Sequence, residues 1–235
     1  MKFDLSKIEL SINDLNRNLI LPKESSQKLA EFIGLLTGDG YLNYYSSQEK
    51  YLLEIAGDSR LDKDYLMNYV KRMIKNLFNI KASFFTRKDQ NSMYLRLISK
   101  GLIIYLIKIG FKKGRKNQIN VPHWIISNRE YMIYFIKGLA DTDFSLYYRK
   151  RYPIVSFTSK SECLVKSVFN FLKKEEFMIK NYYKEERIDK RGYSNTIAYN
   201  IKLNGKKNLA LWSRLINFRN KRHLKKMVGN GNAGI

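Results

Sequence analysis

Two aspartates, Asp39 and Asp143, stand at the ends of matching segments and are the residues of this chain best placed for chemistry. Residues 25–40 read SSQKLAEFIGLLTGDG and residues 127–144 read SNREYMIYFIKGLADTDF. Aligning Gly34 with Gly138 brings Leu35 onto Leu139 and Asp39 onto Asp143, so the chain repeats itself internally. Gly34 and Gly38 are four apart, and Gly138 and Thr142 match them, a spacing of small residues that lets two helices meet backbone to backbone. Packed in parallel, such helices deliver both carboxylates together at their C-terminal ends. That placement is doubly unfavourable, through mutual repulsion and through the negative end of each helix dipole. It becomes sensible when a divalent cation sits between them, and Mg²⁺ is suited to one or two carboxylates plus water and phosphate oxygens. The competing structural reading is that the acids only cap helix–strand turns.

The elements that must carry these acids follow from periodicity. Each helix opens on a capping residue, Ser25 or Ser26 in the first and Ser127 or Asn128 in the second. Strand pairs are predicted over 41–57 and 145–158. Helices follow over Leu61–Phe78 and Ser161–Phe177, then strands near 80–88, 92–99, 178–188 and 195–203, then helices Gly101–Gly110 and Lys206–Asn217. The order α-β-β-α-β-β-α thus occurs twice. The expected fold class is α/β (α+β), two pseudo-symmetric halves around a central two-helix interface, with an N-terminal extension 1–24, a first half 25–124 and a second half 125–235. The extension is expected to wrap the outside and to carry no chemistry.

Alternation along the strands separates a packed face from an open one. Met93, Leu95 and Leu97 lie on one face, with Tyr94 and Arg96 on the other; Lys81, Ser83 and Arg87 alternate with Ala82, Phe84 and Thr86. Ile197, Tyr199, Ile201 and Leu203 oppose Thr196, Asn200 and Lys202. The open sides collect Lys, Arg, Asn, Ser and Tyr, which suit phosphates and base edges; a plain solvated face is the bland alternative.

The bulk charge points the same way. With 44 Lys and Arg against 21 Asp and Glu, the net charge is +23, which opposes compaction unless a polyanion neutralises it. Nucleic acid is the leading partner; an anionic membrane is the rival, but the sequence offers neither an amphipathic basic helix with a Trp/Phe face nor an apolar run of about 18–20 residues. The most hydrophobic stretch, Leu102 to Ile109, is short and carries Lys108. The opening MKFDLSKIELSINDL does not read as a secretory signal. One cysteine and two histidines exclude an intramolecular disulfide, a zinc finger and a His/Cys cluster, so any metal takes oxygen ligands. Cys163 is expected as a buried small hydrophobe, and His123, between Pro122 and Trp124, as a structural turn residue. Each half closes on an acid-free basic stretch: Lys100, Lys108, Lys112, Lys113, Arg115 and Lys116 in the first, and Lys206, Lys207, Arg214, Arg219, Lys221, Arg222, Lys225 and Lys226 in the second.

With FIGLLTGDG at Phe32–Gly40 and IKGLADTDF at Ile136–Phe144, the sequence resembles the LAGLIDADG homing endonucleases, or meganucleases. Two motifs in one chain resemble the single-chain, pseudo-dimeric branch, which implies a monomer. The resemblance, from about Ser25 to Gly229, implies a saddle of two antiparallel sheets seated in the DNA major groove. It implies metal binding by Asp39 and Asp143, with the backbone at Gly38 and Thr142 beside them, and Mg²⁺ as cofactor, Mn²⁺ or Ca²⁺ substituting in binding. The sheet residues it assigns to nucleic acid are Asn43, Tyr45, Lys81, Ser83, Arg87, Tyr94 and Arg96, and Ser145, Tyr147, Arg149, Lys180, Tyr182, Lys184, Asn200 and Lys202. FKKGRKNQINVP resembles the family loop whose lysine lies beside the scissile phosphate, which carries over to Lys116. In INFRNKRHLKK the counterpart is Arg222 or Lys221, ahead of His223.

The implied activity is site-specific, metal-dependent hydrolysis of both strands of a long double-stranded DNA target, leaving short 3′ overhangs, by an intron-encoded enzyme. An intron maturase binding RNA, or an inactive DNA-binding protein, would share the fold. Thr37 replaces the usual acid at the sixth motif position, which Asp141 keeps, and Phe144 replaces the last glycine, which puts the turn geometry in question. Gly57 and Ser159 stand where a family glutamine often positions water; Asp58 is the nearest substitute. The Lys-, Asn-, Ile- and Tyr-heavy composition fits an AT-rich coding genome, organellar or microbial.

Overall fold

The computed structural model describes residues 1–45, 50–87, 90–112, 114, 118–187 and 196–229. At its centre lie α2 (Gln27–Asp39) and α6 (Arg129–Asp143). Ser26 caps α2 by accepting the Leu29 N–H at 3.2 Å, and Asn128 caps α6 by accepting the Tyr131 N–H at 3.1 Å, satisfying donors that a helix start leaves unpaired. Leu29, Phe32, Ile33, Leu35 and Leu36 of α2 are fully buried, as are Phe135, Ile136, Leu139 and Ala140 of α6. Burial around most of the circumference marks both as core helices.

The glycines let the two touch. A Cβ on Gly34 would run into the Phe135 carbonyl oxygen and come within 3.1 Å of the Leu139 nitrogen. One on Gly138 would run into the Glu31 carbonyl oxygen and lie 2.7 Å from the Leu35 nitrogen. Gly38 meets Thr142 in the same way. The in-register pairs expected from the sequence therefore face one another across α2 and α6.

Each helix runs directly into a sheet. In the first, β1 (Gly40–Tyr45), β2 (Lys50–Asp58), β3 (Ser83–Arg87) and β4 (Ser92–Ile98) form an antiparallel sheet of order β1-β2-β4-β3. In the second, β5 (Phe144–Arg149), β6 (Tyr152–Ser159), β7 (Tyr183–Arg187) and β8 (Thr196–Asn204) take the order β5-β6-β8-β7. The chain is thus a mixed α+β protein built on two equivalent four-stranded antiparallel sheets. The remaining helices are α1 (Ile12–Asn16), α3 (Lys71–Phe78), α4 (Lys100–Lys108), α5 (His123–Ile126), α7 (Glu162–Lys174), α8 (Lys206–Leu215) and α9 (Lys221–Gly229). Among the described residues no helix is long and apolar enough to cross a membrane.

Several details depart from the sequence reading. The continuous helix expected over Leu61–Phe78 begins with a π-helical turn, Tyr65–Val70, which apolar spacing does not distinguish from α-helix. Short α1 and α5 carry too few residues to show a period, and α9 lies in a stretch read only as a cationic run. Cys163 is exposed rather than buried: it sits on the rim of α7, while Leu164, Val165 and Val168 take the inner face. Phe144 takes nearly the same extended backbone angles as Gly40 (φ −87°, ψ 155° against −79°, 143°), and its ring stacks on Phe157 at 4.6 Å and meets Trp212 at 4.9 Å in the core. Before Ser25, Phe3 packs edge-on to Tyr105 and Trp124, and buried Asp14 accepts the Gly101 N–H at 3.0 Å. The extension is thereby fixed to α4.

The glycine contacts give a direct test. Gly34→Ala and Gly138→Ala each force a methyl group into a backbone carbonyl, so each should lower unfolding free energy by about 1–3 kcal/mol or more, read by urea denaturation. Wild-type stability in both variants would contradict the close approach.

A second test comes from α9. His223 is buried, its ring stacked on Phe218 at 4.5 Å. Burial, aided by Arg222 and Lys226, holds its pKa down to about 3. The unfolded chain, with an ordinary His near 6.5, takes up a proton that the fold rejects, so this stabilisation is present above pH 6.5 and lost as pH falls toward 3. Between pH 6.5 and 5 the wild type should lose about 1.5–2 kcal/mol more than His223→Phe. Parallel stability–pH curves for the two proteins would refute the assignment.

Candidate functional site

The close approach of α2 and α6 brings Asp39 and Asp143 to one place. The carboxyl carbon of Asp143 lies 3.3 Å from the point where a Cβ on Gly38, the neighbour of Asp39, would stand. Both acids are half-buried at the last helical positions, where the exposed carbonyl end of each helix adds to their repulsion. Hard oxygen donors in that setting fit a divalent cation. Among the described residues no group of three His, Cys, Asp or Glu side chains could hold a metal ion; the acidic oxygens gathered at this point are those of the two aspartates. The carbonyl of Thr142, one of the expected backbone contributors, already accepts Arg222 Nη2 at 3.2 Å.

Arg222 belongs to a polar network that the sequence did not disclose. Asp141 is 1% exposed, and one of its oxygens accepts the backbone N–H groups of Arg219 and Asn220 at 2.7 and 2.8 Å. Burial raises its pKa to about 6, the two N–H donors opposing the shift. Glu31, equally buried in α2, accepts Lys28 Nζ at 2.9 Å, Arg219 Nε at 2.8 Å and the Tyr69 hydroxyl. Asp62 accepts Asn220 Nδ2 at 2.7 Å, Arg222 Nη1 at 3.0 Å and the Asp58 N–H at 2.9 Å. The segment between α8 and α9 is therefore bound to both central helices and to the first half. Glu31 stands amid the apolar residues of α2, but nothing local names a partner far along the chain.

The two basic candidates of this segment part company. Arg222 reaches the end of α6, whereas Lys221 pairs with Asp64 at 3.0 Å on an exposed surface. Lys116 lies outside the described residues. Asp58 is engaged in local structure, accepting the N–H groups of Arg60 and Leu61 at 2.8 and 3.1 Å.

Strand register decides which side chains occupy the open faces. On the first sheet the pairs Tyr41–Glu54, Glu54–Arg96 and Arg96–Ser83 define that face, and Asn43, Tyr45, Ser83, Arg87, Tyr94 and Arg96 all lie on it. Arg96 is preset there, bonded to Glu54 at 2.6 Å and seated over the Phe85 ring at 4.5 Å. Lys81 is exposed just before β3. On the second sheet Ser145, Tyr147, Arg149 and Lys202 share the open face, through pairs Ser145–Ser156 and Ser156–Lys202.

Three assignments there are corrected. Asn200 has the expected register but is 3% exposed, bonded to Thr158 and Glu185, so it braces the sheet. Lys184 pairs with Tyr199 on the helix-facing side, and Tyr182 packs against Phe169 with its hydroxyl on Glu162 of α7. The open side of β7 instead holds Tyr183 and Glu185, opposite Asn200 and Ala198. A shift of one residue exchanges the two faces of a strand, and β7 lacks the apolar alternation that would have fixed it. Lys180 precedes the strand and is exposed.

No family model matches the sequence. Among curated proteins, it is 28% identical over 146 residues to a DNA polymerase of Thermococcus hydrothermalis, matching 62% of this chain and 8% of that protein. It is 27% identical over 230 residues to the replication factor C small subunit of Methanocaldococcus jannaschii (88% and 12%) and 25% over 219 residues to the tRNA-splicing ligase RtcB of Methanopyrus kandleri (82% and 21%). The chain spans about a fifth or less of the length of these relatives. Among solved structures, the homing endonuclease I-DmoI in complex with DNA and Ca superposes with a TM-score of 0.54 at 18% identity, covering 81% of this chain and 88% of that one. The homing endonuclease I-WcaI bound to its DNA recognition sequence gives 0.53 at 13% identity, covering 88% and 86%. Two motif-ended helices packed at their glycines, each entering a four-stranded sheet, thus form the fold that I-DmoI and I-WcaI also adopt.

Proposed function

We propose that this chain is a DNA endonuclease that cuts both strands of a specific duplex site with the help of divalent metal. The observation that carries the reading is the delivery of Asp39 and Asp143 to one point at the junction of two sheets. The net charge of +23 and the open-face cations supply the attraction a phosphate backbone requires. The likeness to I-DmoI and I-WcaI supports the same reading.

In this mechanism Asp39 and Asp143 would hold Mg²⁺, with backbone carbonyls beside them. Such a metal would supply Lewis-acid polarisation of phosphate and activation of water. Asn43, Tyr45, Ser83, Arg87, Tyr94 and Arg96 on one sheet, and Ser145, Tyr147, Arg149 and Lys202 on the other, contact bases and phosphates along the groove. Lys116 neutralises charge that develops on the phosphate. The chain acts as a monomer, because one chain contains both halves. Matches to small parts of a DNA polymerase, a replication factor C small subunit and a tRNA-splicing ligase fit a module carried inside unrelated hosts.

Asp39→Asn and Asp143→Asn should each reduce Mg²⁺-dependent cleavage by orders of magnitude. Binding in EDTA should persist or tighten, because a carboxylate near phosphate is repelled. Cutting at the wild-type rate by either variant would remove these acids from the mechanism.

Affinity should also fall steeply with salt, with a slope of log affinity against log salt of about −0.9 per phosphate contacted. A flat salt titration would assign the basic residues to something other than a nucleic-acid backbone.

A further inference from the structure

We propose that Arg222 is a positioning residue: held by Asp62 of the first half, its guanidinium fixes the peptide unit that carries Asp143. This rests on the nuclease reading and deepens it, since a basic group beside the motif would otherwise be taken as a direct phosphate contact.

The guanidinium is almost fully committed to protein. Nη1 donates to Asp62 Oδ2 at 3.0 Å, Nη2 to the carbonyls of Asp141 and Thr142 at 3.1 and 3.2 Å, and Nε to His223 Nε2 at 3.0 Å. Of the five N–H donors of an arginine, one is left for any other partner. The side chain is 22% exposed. A planar fork can bridge a carboxylate and two carbonyls at fixed angles, which a lysine ammonium cannot.

The bridged groups explain what the clamp does. The carbonyls of residues 141 and 142 belong to the last turn of α6, where a cation offsets the negative end of the dipole. The Thr142 carbonyl is part of the same planar unit as the Asp143 nitrogen, so anchoring it sets the direction in which Asp143 leaves the helix. Asp62, the other end of the bridge, is buried and is itself held by Asn220 Nδ2 and the Asp58 N–H. The clamp therefore refers the position of Asp143 to the first half. At the sixth motif position of the first half, Thr37 instead returns its hydroxyl to the Ile33 carbonyl of its own helix at 2.8 Å. The clamp acts on the peptide that carries Asp143, so losing it should affect the strand served by Asp143 more than the other.

The test contrasts Arg222→Lys and Asp62→Asn in the full-length chain, on a duplex selected from a randomised library in Ca²⁺. Positioning predicts that Arg222→Lys, which keeps the charge, still slows Mg²⁺-dependent cleavage by about 100-fold, with nicked product accumulating. Asp62→Asn should reproduce the defect, and binding in EDTA should change little. A direct phosphate contact predicts the opposite: Lys rescues, and Asp62→Asn cuts as fast as wild type or faster. Either result overturns the proposal. If Asp62→Asn does not fold, Arg222→Lys alone makes the contrast. Amide hydrogen exchange over residues 139–146 of the metal-free protein supplies a readout independent of cutting. Each variant should raise it, and the double variant should raise it no further, because one link is broken in all three. Unchanged exchange overturns the proposal. Should the wild type cut no DNA, the nuclease reading fails, and the exchange result still decides whether Arg222 holds the end of α6.

Discussion

Everything in this molecule is arranged around two helices whose backbones touch. Gly34 and Gly138 each lie against a carbonyl of the opposite helix, in places that a single methyl group would fill. Side chains larger than hydrogen at these points would push α2 and α6 apart. The acids at their ends would then separate, as would the sheets that begin at Gly40 and Phe144. The spacing between the two acids and the relation between the two sheets are therefore set by one contact, made of backbone and not of adjustable side chains.

Around this contact the chain also buries charge. Isolated burial of Glu31, Asp141 or Asp62 would be costly. Each is offset by several donors: Lys28, Tyr69 and Arg219 on Glu31; two backbone N–H groups on Asp141; Asn220, Arg222 and the Asp58 N–H on Asp62. Most of these donors come from the short stretch 219–222. Its basic residues, conspicuous in the sequence as cations, work largely inside the protein, while Lys221, on Asp64, stays at the surface. Net charge thus overstates how much of this segment is available to a polyanion.

The halves are equivalent in topology and different in detail. At the ninth motif position a Cβ on Gly40 would come within 2.5 Å of the Leu36 carbonyl oxygen, whereas Phe144 turns a full aromatic ring into the core beside Trp212. At the sixth position Thr37 serves its own helix, whereas Asp141 binds a distant segment.

The sequence by itself determined the repeat, the two capped helices, the succession of helices and strands along each half and the matching positions of Asp39 and Asp143. These rest on local signals: capping residues, apolar periods of 3.6 and 2, and glycines in register with acids. It also placed Asn43, Arg96, Tyr147 and Lys202 on open faces, because their strands alternate cleanly. It failed at β7, where a polar strand without alternation left the register free and Lys184 and Tyr182 went to the wrong side. It failed at Cys163 as well, whose place on the rim of α7 is a matter of a fraction of a helical turn. Only the tertiary structure could decide the partners of Glu31, Asp62, Asp141 and Arg222. A charge in a sequence states what it needs, an opposite charge or a donor, but not where the folded chain will supply it.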